Sequence, residues 1–160
     1  MIIMGVDPGS KITGYGIVKK DKDKLICLKD GQISPSKGLS FYEKVFHIFL
    51  ELKSIMKSYK PDEMAIEDIF YSKNIKSFIK LGHIRGAIII ASFIEGIPVF
   101  EYTPVQIKRA VVGYGRAPKE QVRSMVKLIL NINKSIGFDS SDALAVAICH
   151  ANYKNKVIIE

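Results

Sequence analysis

The sequence predicts an α/β fold built on a mixed five-stranded sheet, three antiparallel strands and then parallel ones, flanked by helices. Three observations predict it. Three runs rich in branched residues come first, with turn signals between them; after residue 39, helical periodicity alternates with short apolar strands; and acidic residues stand at several element ends. With 160 residues, 48% of them hydrophobic, the chain suits one core and reads as a single domain over 1–160.

Ile2 to Asp7, Ile12 to Lys19 and Leu25 to Ile33 are the first three strands, separated by Pro8-Gly9 and by Lys20-Asp21-Lys22-Asp23-Lys24. Such short connections make an antiparallel meander. From Leu39 to Tyr59 the apolar positions Tyr42, Val45, Phe46, Phe49, Leu52, Ile55, Met56 and Tyr59 keep helical spacing until Lys60-Pro61-Asp62 ends the run. Met64 to Glu67 is a short buried strand, Ile75 to Ile94 a long helix, and Pro98 to Tyr102 the last strand. Thr103 then caps a helix whose first position is Pro104, where a missing N–H costs nothing. A basic turn, Gly113 to Lys119, leads into a helix from Pro118 to Leu130, and the final helix opens at Asp139-Ser140-Ser141-Asp142 and runs through Cys149.

Lys and Arg number 24 against 16 Asp and Glu, a net charge of +8, so the chain is drawn to polyanions. The longest apolar run, Ala87 to Ile94, falls well short of the roughly 20 residues that span a bilayer, and the N-terminus lacks the charged and small-residue pattern of a signal peptide. Two cysteines, Cys27 and Cys149, stand in apolar company, which suits a reducing cytoplasm and excludes a cysteine-based zinc site. The expectation is a cytoplasmic protein with no membrane partner.

Asp7 ends one strand, Glu67 ends another, and Asp139 with Asp142 opens the last helix. Each also has a plain structural role open to it. Asp7 before Pro-Gly suits a turn, and either Asp139 or Asp142 suits a helix cap, although capping needs only one of them. Glu67 at the edge of the core is harder to place structurally, because an unpaired charge there costs several kcal/mol or shifts its pKa. If the four converge, a hard divalent cation, Mg²⁺ or Mn²⁺, offsets their repulsion, and two ions about 4 Å apart would support phosphodiester hydrolysis.

Several segments in fixed order carry a family resemblance: Gly5-Val6-Asp7-Pro8-Gly9-Ser10 with Thr13-Gly14-Tyr15-Gly16, Ala65-Ile66-Glu67 with Phe70, and Lys80-Leu81-Gly82 with Arg85-Gly86. Val99-Phe100-Glu101-Tyr102, Val111-Val112-Gly113 and Asp139-x-x-Asp142-Ala143-Leu144-Ala145 complete the set. From Gly5 to about Ala151 the chain resembles the RuvC Holliday junction resolvases of bacteria, members of the ribonuclease H-like superfamily. The resemblance implies a ribonuclease H-like fold and a Mg²⁺-dependent endonuclease, with two ions per site and Mn²⁺ as a substitute. It implies a homodimer that nicks two like-polarity strands of a four-way DNA junction symmetrically, leaving 5′-phosphate and 3′-hydroxyl ends, and that works with a branch-migration helicase complex of the RuvA and RuvB type.

The family's acidic positions fall on Asp7, Glu67, Asp139 and Asp142, with His in some members at the position of Asp139; its basic positions fall on Lys108 and Lys119, and its junction-stacking aromatic on Phe70. Read as residues, Lys119 lies in a mobile basic turn suited to a phosphate, as does Arg116, whereas Lys108 beside Arg109 also suits a plain solvated helix face. Phe70-Tyr71-Ser72-Lys73-Asn74 mixes aromatics with a base, so Phe70 and Tyr71 either stack on unpaired bases beside Lys73 or join the core. The helix with Gly82, Arg85, Gly86 and Ala87 suits either close approach across a two-fold axis or packing on its own sheet. His47, His83 and His150 show no ligand spacing and read as structural. The rivals are a nuclease that processes RNA precursors, an ATP-binding sugar-kinase or actin-like fold, which needs a second phosphate loop and a far longer chain, and a junction-binding protein without chemistry.

Overall fold

Alternation along the first strand, β1 (Ile2–Asp7), decides what each face of the sheet buries. Ile3 belongs to one core cluster, and Met4 and Val6 to the other. Asp7 follows Ile3 and Gly5 in the period of two and so shares their face. In the computed structural model, which describes residues 1–68 and 74–153, β1 lies at the centre of the sheet.

β2 (Thr13–Asp21) pairs antiparallel to β1, and β3 (Lys24–Ile33) pairs antiparallel to β2 with a bulge at Ile17/Val18. On the other side β4 (Glu63–Glu67) runs parallel to β1, with Val6 opposite Ile66, and β5 (Val99–Tyr102) runs parallel to β4. The order β3-β2-β1-β4-β5 is the expected mixed sheet.

Helices α1 (Phe41–Tyr59) and α2 (Ile75–Ile94) cover the face of Met4, Val6, Met64 and Ile66, burying Ile48, Leu52, Met56, Ile84 and Ile88 against it. Each such side chain stabilises the fold by about 1.5–3 kcal/mol. The opposite face receives α5 (Phe138–Tyr153), against which α3 (Pro104–Val112) and α4 (Lys119–Ile129) pack. Between Ser140 and Ala151 every residue of α5 is buried except Asp142.

α5 sits so close because the sheet beneath it lacks side chains. A Cβ on Gly5 would lie 2.0 Å from the Ala143 carbonyl oxygen, and one on Gly14 would lie 2.0 Å from that of Asp139. At its far end the helix is tied down by His150, whose buried ring nitrogens Nδ1 and Nε2 lie 2.7 Å from Tyr102 Oη and 2.6 Å from Glu63 Oε2. His150 is thus structural, as its sequence context suggests.

Element ends differ from the sequence reading where caps decide them. α1 begins at Phe41 because Ser40 is its N-cap, in a reciprocal capping box with Glu43; α3 opens with Thr103 as cap and Pro104 first, as expected. α5 starts at Phe138, so Asp139 and Asp142 lie inside its first turns and neither is the N-cap. α2 as a whole is long and apolar enough to cross a membrane, which the shorter run Ala87 to Ile94 did not suggest. Its Ile84, Arg85, Ile88, Ala91 and Ser92 are nevertheless buried in this protein's own core.

Candidate active site

Asp7 and Glu67 come together by strand register. They lie one step beyond the Val6–Ile66 pair of two parallel strands, and the period of two turns both toward α5. α5 brings Asp142, the N-terminal residue of α4 brings Lys119, and α3 brings Lys108. These five polar side chains line a pocket of about 100 Å³ whose apolar wall includes Ile107, Val122 and Ala145. A larger groove, about 1020 Å³, runs along β3 and residues 129–134 and holds none of these five.

Asp139 stands at the rim instead. Its Oδ2 accepts a hydrogen bond from Gln32 Nε2 at 3.0 Å, and it does not line the pocket. Arg116 is exposed in the turn before α4 and stays outside the pocket as well. Phe70, Tyr71 and Lys73 lie outside the described residues. Among the described residues no three His, Cys, Asp or Glu side chains meet closely enough to ligate one ion, so the acids share a pocket without closing a cage.

The electrostatics show what this crowding costs. Burial, with the charges of Glu67 and Asp142 next, pushes the Asp7 carboxyl from 3.8 up to about 8, and Lys119 only partly opposes it. Glu67 is raised by burial and by Asp142, with relief from a hydrogen bond to Asp7 and from Lys119 and Lys108. Lys119 Nζ donates to Asp142 Oδ2 at 2.9 Å, and that bond leads the causes that raise the ammonium above its ordinary value. Three carboxylates beside two lysines are therefore short of positive charge. Lys108, which from sequence could be a plain solvated lysine, is one of the groups that relieve it.

Arg85, which sequence analysis placed on a helix suited to a two-fold contact or to its own sheet, has a contact beside the pocket that sequence reasoning missed. Buried on α2, it donates from Nη1 to the backbone carbonyl of Glu67, while Nη2 lies 2.6 Å from Glu101 Oε1 and 3.6 Å from Asp68 Oδ1. The sequence signal was a cation directly after Ile84 on the buried side of an apolar helix, where Lys76 and Lys80 of the same helix are exposed. Arg85→Met is expected to cost about 1.5–3 kcal/mol, the range for a hydrogen bond to a charged group. Urea denaturation measures that loss, and an unchanged midpoint would show that Arg85 does not hold the end of β4.

A sheet of this order, with acids from two parallel strand ends facing the first turns of a crossing helix, defines a ribonuclease H-like protein. Residues 3–150 match the family model described as crossover junction endodeoxyribonuclease RuvC. The chain belongs to that family. It is 49% identical over 152 residues to the protein of that name from Geotalea uraniireducens, covering 95% of this chain and 89% of that one, and equally identical to the one from Citrifermentans bemidjiense. Among solved structures it is similar to Thermus thermophilus RuvC, at 32% identity with 98% and 96% of the two chains covered and a TM-score of 0.87. The same protein in complex with a Holliday junction substrate gives a TM-score of 0.92.

Proposed function

We propose that the protein is a metal-dependent endonuclease that resolves four-way DNA junctions, cutting two strands of like polarity by paired, symmetric nicks. The observation that carries this reading is the convergence of Asp7, Glu67 and Asp142 with Lys108 and Lys119 in one pocket, in a chain of the crossover junction endodeoxyribonuclease family. An all-oxygen donor set whose members disfavour one another's ionisation suits a hard divalent cation such as Mg²⁺, or Mn²⁺ in its place. Asp7 and Asp142 would hold it, with Asp139 available from the rim; two ions, once bound, supply a nucleophilic water and stabilise the leaving oxygen, which fits products with 5′-phosphate and 3′-hydroxyl ends.

The chain's own groups have separable tasks in this scheme. Glu67, whose carboxyl is held above its ordinary pKa, orients the attacking water and takes up its proton. Lys119, with its side chain 66% exposed, can exchange Asp142 for a phosphate oxygen, and Lys108 faces the same pocket. Both offset the charge that develops on the phosphate. Two nicks need two pockets, which a homodimer supplies. The outer side of α2 suits that contact: Ile75, Ile79, Ile90 and Phe93 are exposed, and a Cβ on Gly82 or Gly86 would meet nothing within 4 Å. A helicase complex of the RuvA and RuvB type as partner follows from the family resemblance.

A synthetic mobile junction incubated with the protein in Mg²⁺, Ca²⁺ or EDTA tests the reading. Paired nicks at symmetric positions are expected in Mg²⁺, and no cutting in EDTA. Equal cutting of linear duplex or of RNA would overturn it in favour of a general or RNA-processing nuclease, and binding without cutting in any metal would favour a junction binder.

A further inference from the structure

α4 carries Lys119, Arg123 and Lys127 at i, i+4 and i+8, one stripe along the helix with about 6 Å of rise between successive cations. The first stands in the pocket beside Asp142. The second lies over the ring of Phe138 at the start of α5, its guanidinium carbon 3.9 Å from the ring centroid. Arg123 and Lys127 also line a separate cavity of about 210 Å³ with Ser124, Ser135 and Ile136, and no carboxylate lines it. The Ser124 hydroxyl already donates to the Glu120 carbonyl, so the other hydroxyl lining the cavity, that of Ser135, is the one to offer an anion.

Three features set this stripe apart from an ordinary solvated helix face. Stacking on Phe138 holds Arg123 in place, so less side-chain entropy is lost when it meets an anion. The two cations converge on a concave site. They also continue the line of Lys119 along one helix, at about 6 Å of rise per step, so one strand running along α4 meets the three cations in turn. We propose that Arg123 and Lys127, with Ser135, form a phosphate subsite that grips the DNA strand next to the phosphate being cut, reading its backbone and not its bases. This rests on the nuclease reading of the neighbouring pocket and extends the bound strand along α4.

Counterion release makes the subsite measurable: each lost contact to duplex DNA lowers the slope of log K against log salt by about 0.9, which amounts to roughly eightfold in affinity at 0.1 M salt relative to 1 M. Arg123→Gln and Lys127→Gln are each expected to lower the slope by that amount, measured on an immobile junction and on plain duplex in Ca²⁺. The double variant should lose twice as much, and Arg123→Lys should recover most of the slope if charge and not packing on Phe138 is what matters. Lys57→Gln, in the last turn of α1, serves as the distant control and should leave the slope as it was. An unchanged slope in the double variant overturns the subsite, as does a loss equal to that of the control. The nuclease reading fails separately, if the unaltered protein does not nick a junction in Mg²⁺.

Discussion

Asp7→Asn is expected to abolish strand cutting, leave junction binding in place, and make the metal-free protein more stable at neutral pH. The first effect follows from the ligand set: losing a central carboxylate forfeits several kcal/mol of transition-state stabilisation, about a thousandfold or more in rate. The gain in stability follows from the sign of the pKa shift. Asp7 in the folded protein titrates near 8, above its unfolded value of 3.8, so the fold favours the protonated form. Stability from this group is complete below pH 4 and is lost as pH rises through about 8. Asn cannot ionise and keeps that stability throughout. Glu67 shifts the same way, through burial and the charge of Asp142, so its own share of the pH dependence stays in the variant. Thermal melts in EDTA from pH 4 to pH 8 should fall for the unaltered protein and fall less steeply for the variant, with a difference of up to a few kcal/mol at the upper end, part of it screened by solvent at the pocket mouth. Wild-type nicking by the variant in Mg²⁺ would sink the metal-site assignment; parallel melting curves would show that the acids are not strained.

Asp7 and Glu67 were legible as a pair because strand periodicity is local: each closes a short apolar run, and a parallel pairing of those runs turns both to one face. Asp142 and Lys119 were legible as chemistry but not as partners, since nothing local reports that the end of one helix meets the first turns of another, 23 residues on. Asp139 shows the limit of cap reasoning. Its position looked like a helix start, yet α5 begins one residue earlier and the carboxylate is held by Gln32, 107 residues away in sequence. Lys108 was ambiguous on its own helix, and it lines the pocket only because of the way α3 packs on α5. The hold of Arg85 on Glu67 was hidden because the acceptor there is a backbone carbonyl, and every residue type has one. The least legible residues were Gly5 and Gly14, which read as ordinary strand positions until the helix above them is known.

Gly14→Ala is expected to damage the site and the fold together. Gly14 stands directly opposite Asp7 in the β1–β2 pair, and a Cβ there would lie 2.0 Å from the Asp139 carbonyl oxygen and 2.5 Å from its carbon. Those are backbone atoms, so no rotamer change relieves the clash. Since non-bonded atoms do not approach a Cβ closer than 3.0 Å, the first turn of α5 must lift by about 1 Å or β2 must sink by as much. Overpacking of this kind costs about 1–3 kcal/mol or more. The same displacement moves Asp139 and Asp142 away from Asp7, and a misplacement near 1 Å can cost on the order of a hundredfold in rate. Gly38→Ala is the control, since a Cβ there would meet nothing within 4 Å. Gly5→Ala clashes with the middle of α5, at Ala143 and Ala147, and should lower the melting temperature at least as much. The useful comparison is nicking measured well below each variant's own melting temperature. A Gly14→Ala protein that is still folded there and yet cuts poorly, with a raised Mg²⁺ requirement, would show that the close seating of α5 sets the geometry of the acids. A variant that melts and cuts like the control would mean that the helix can stand off the sheet without disturbing them.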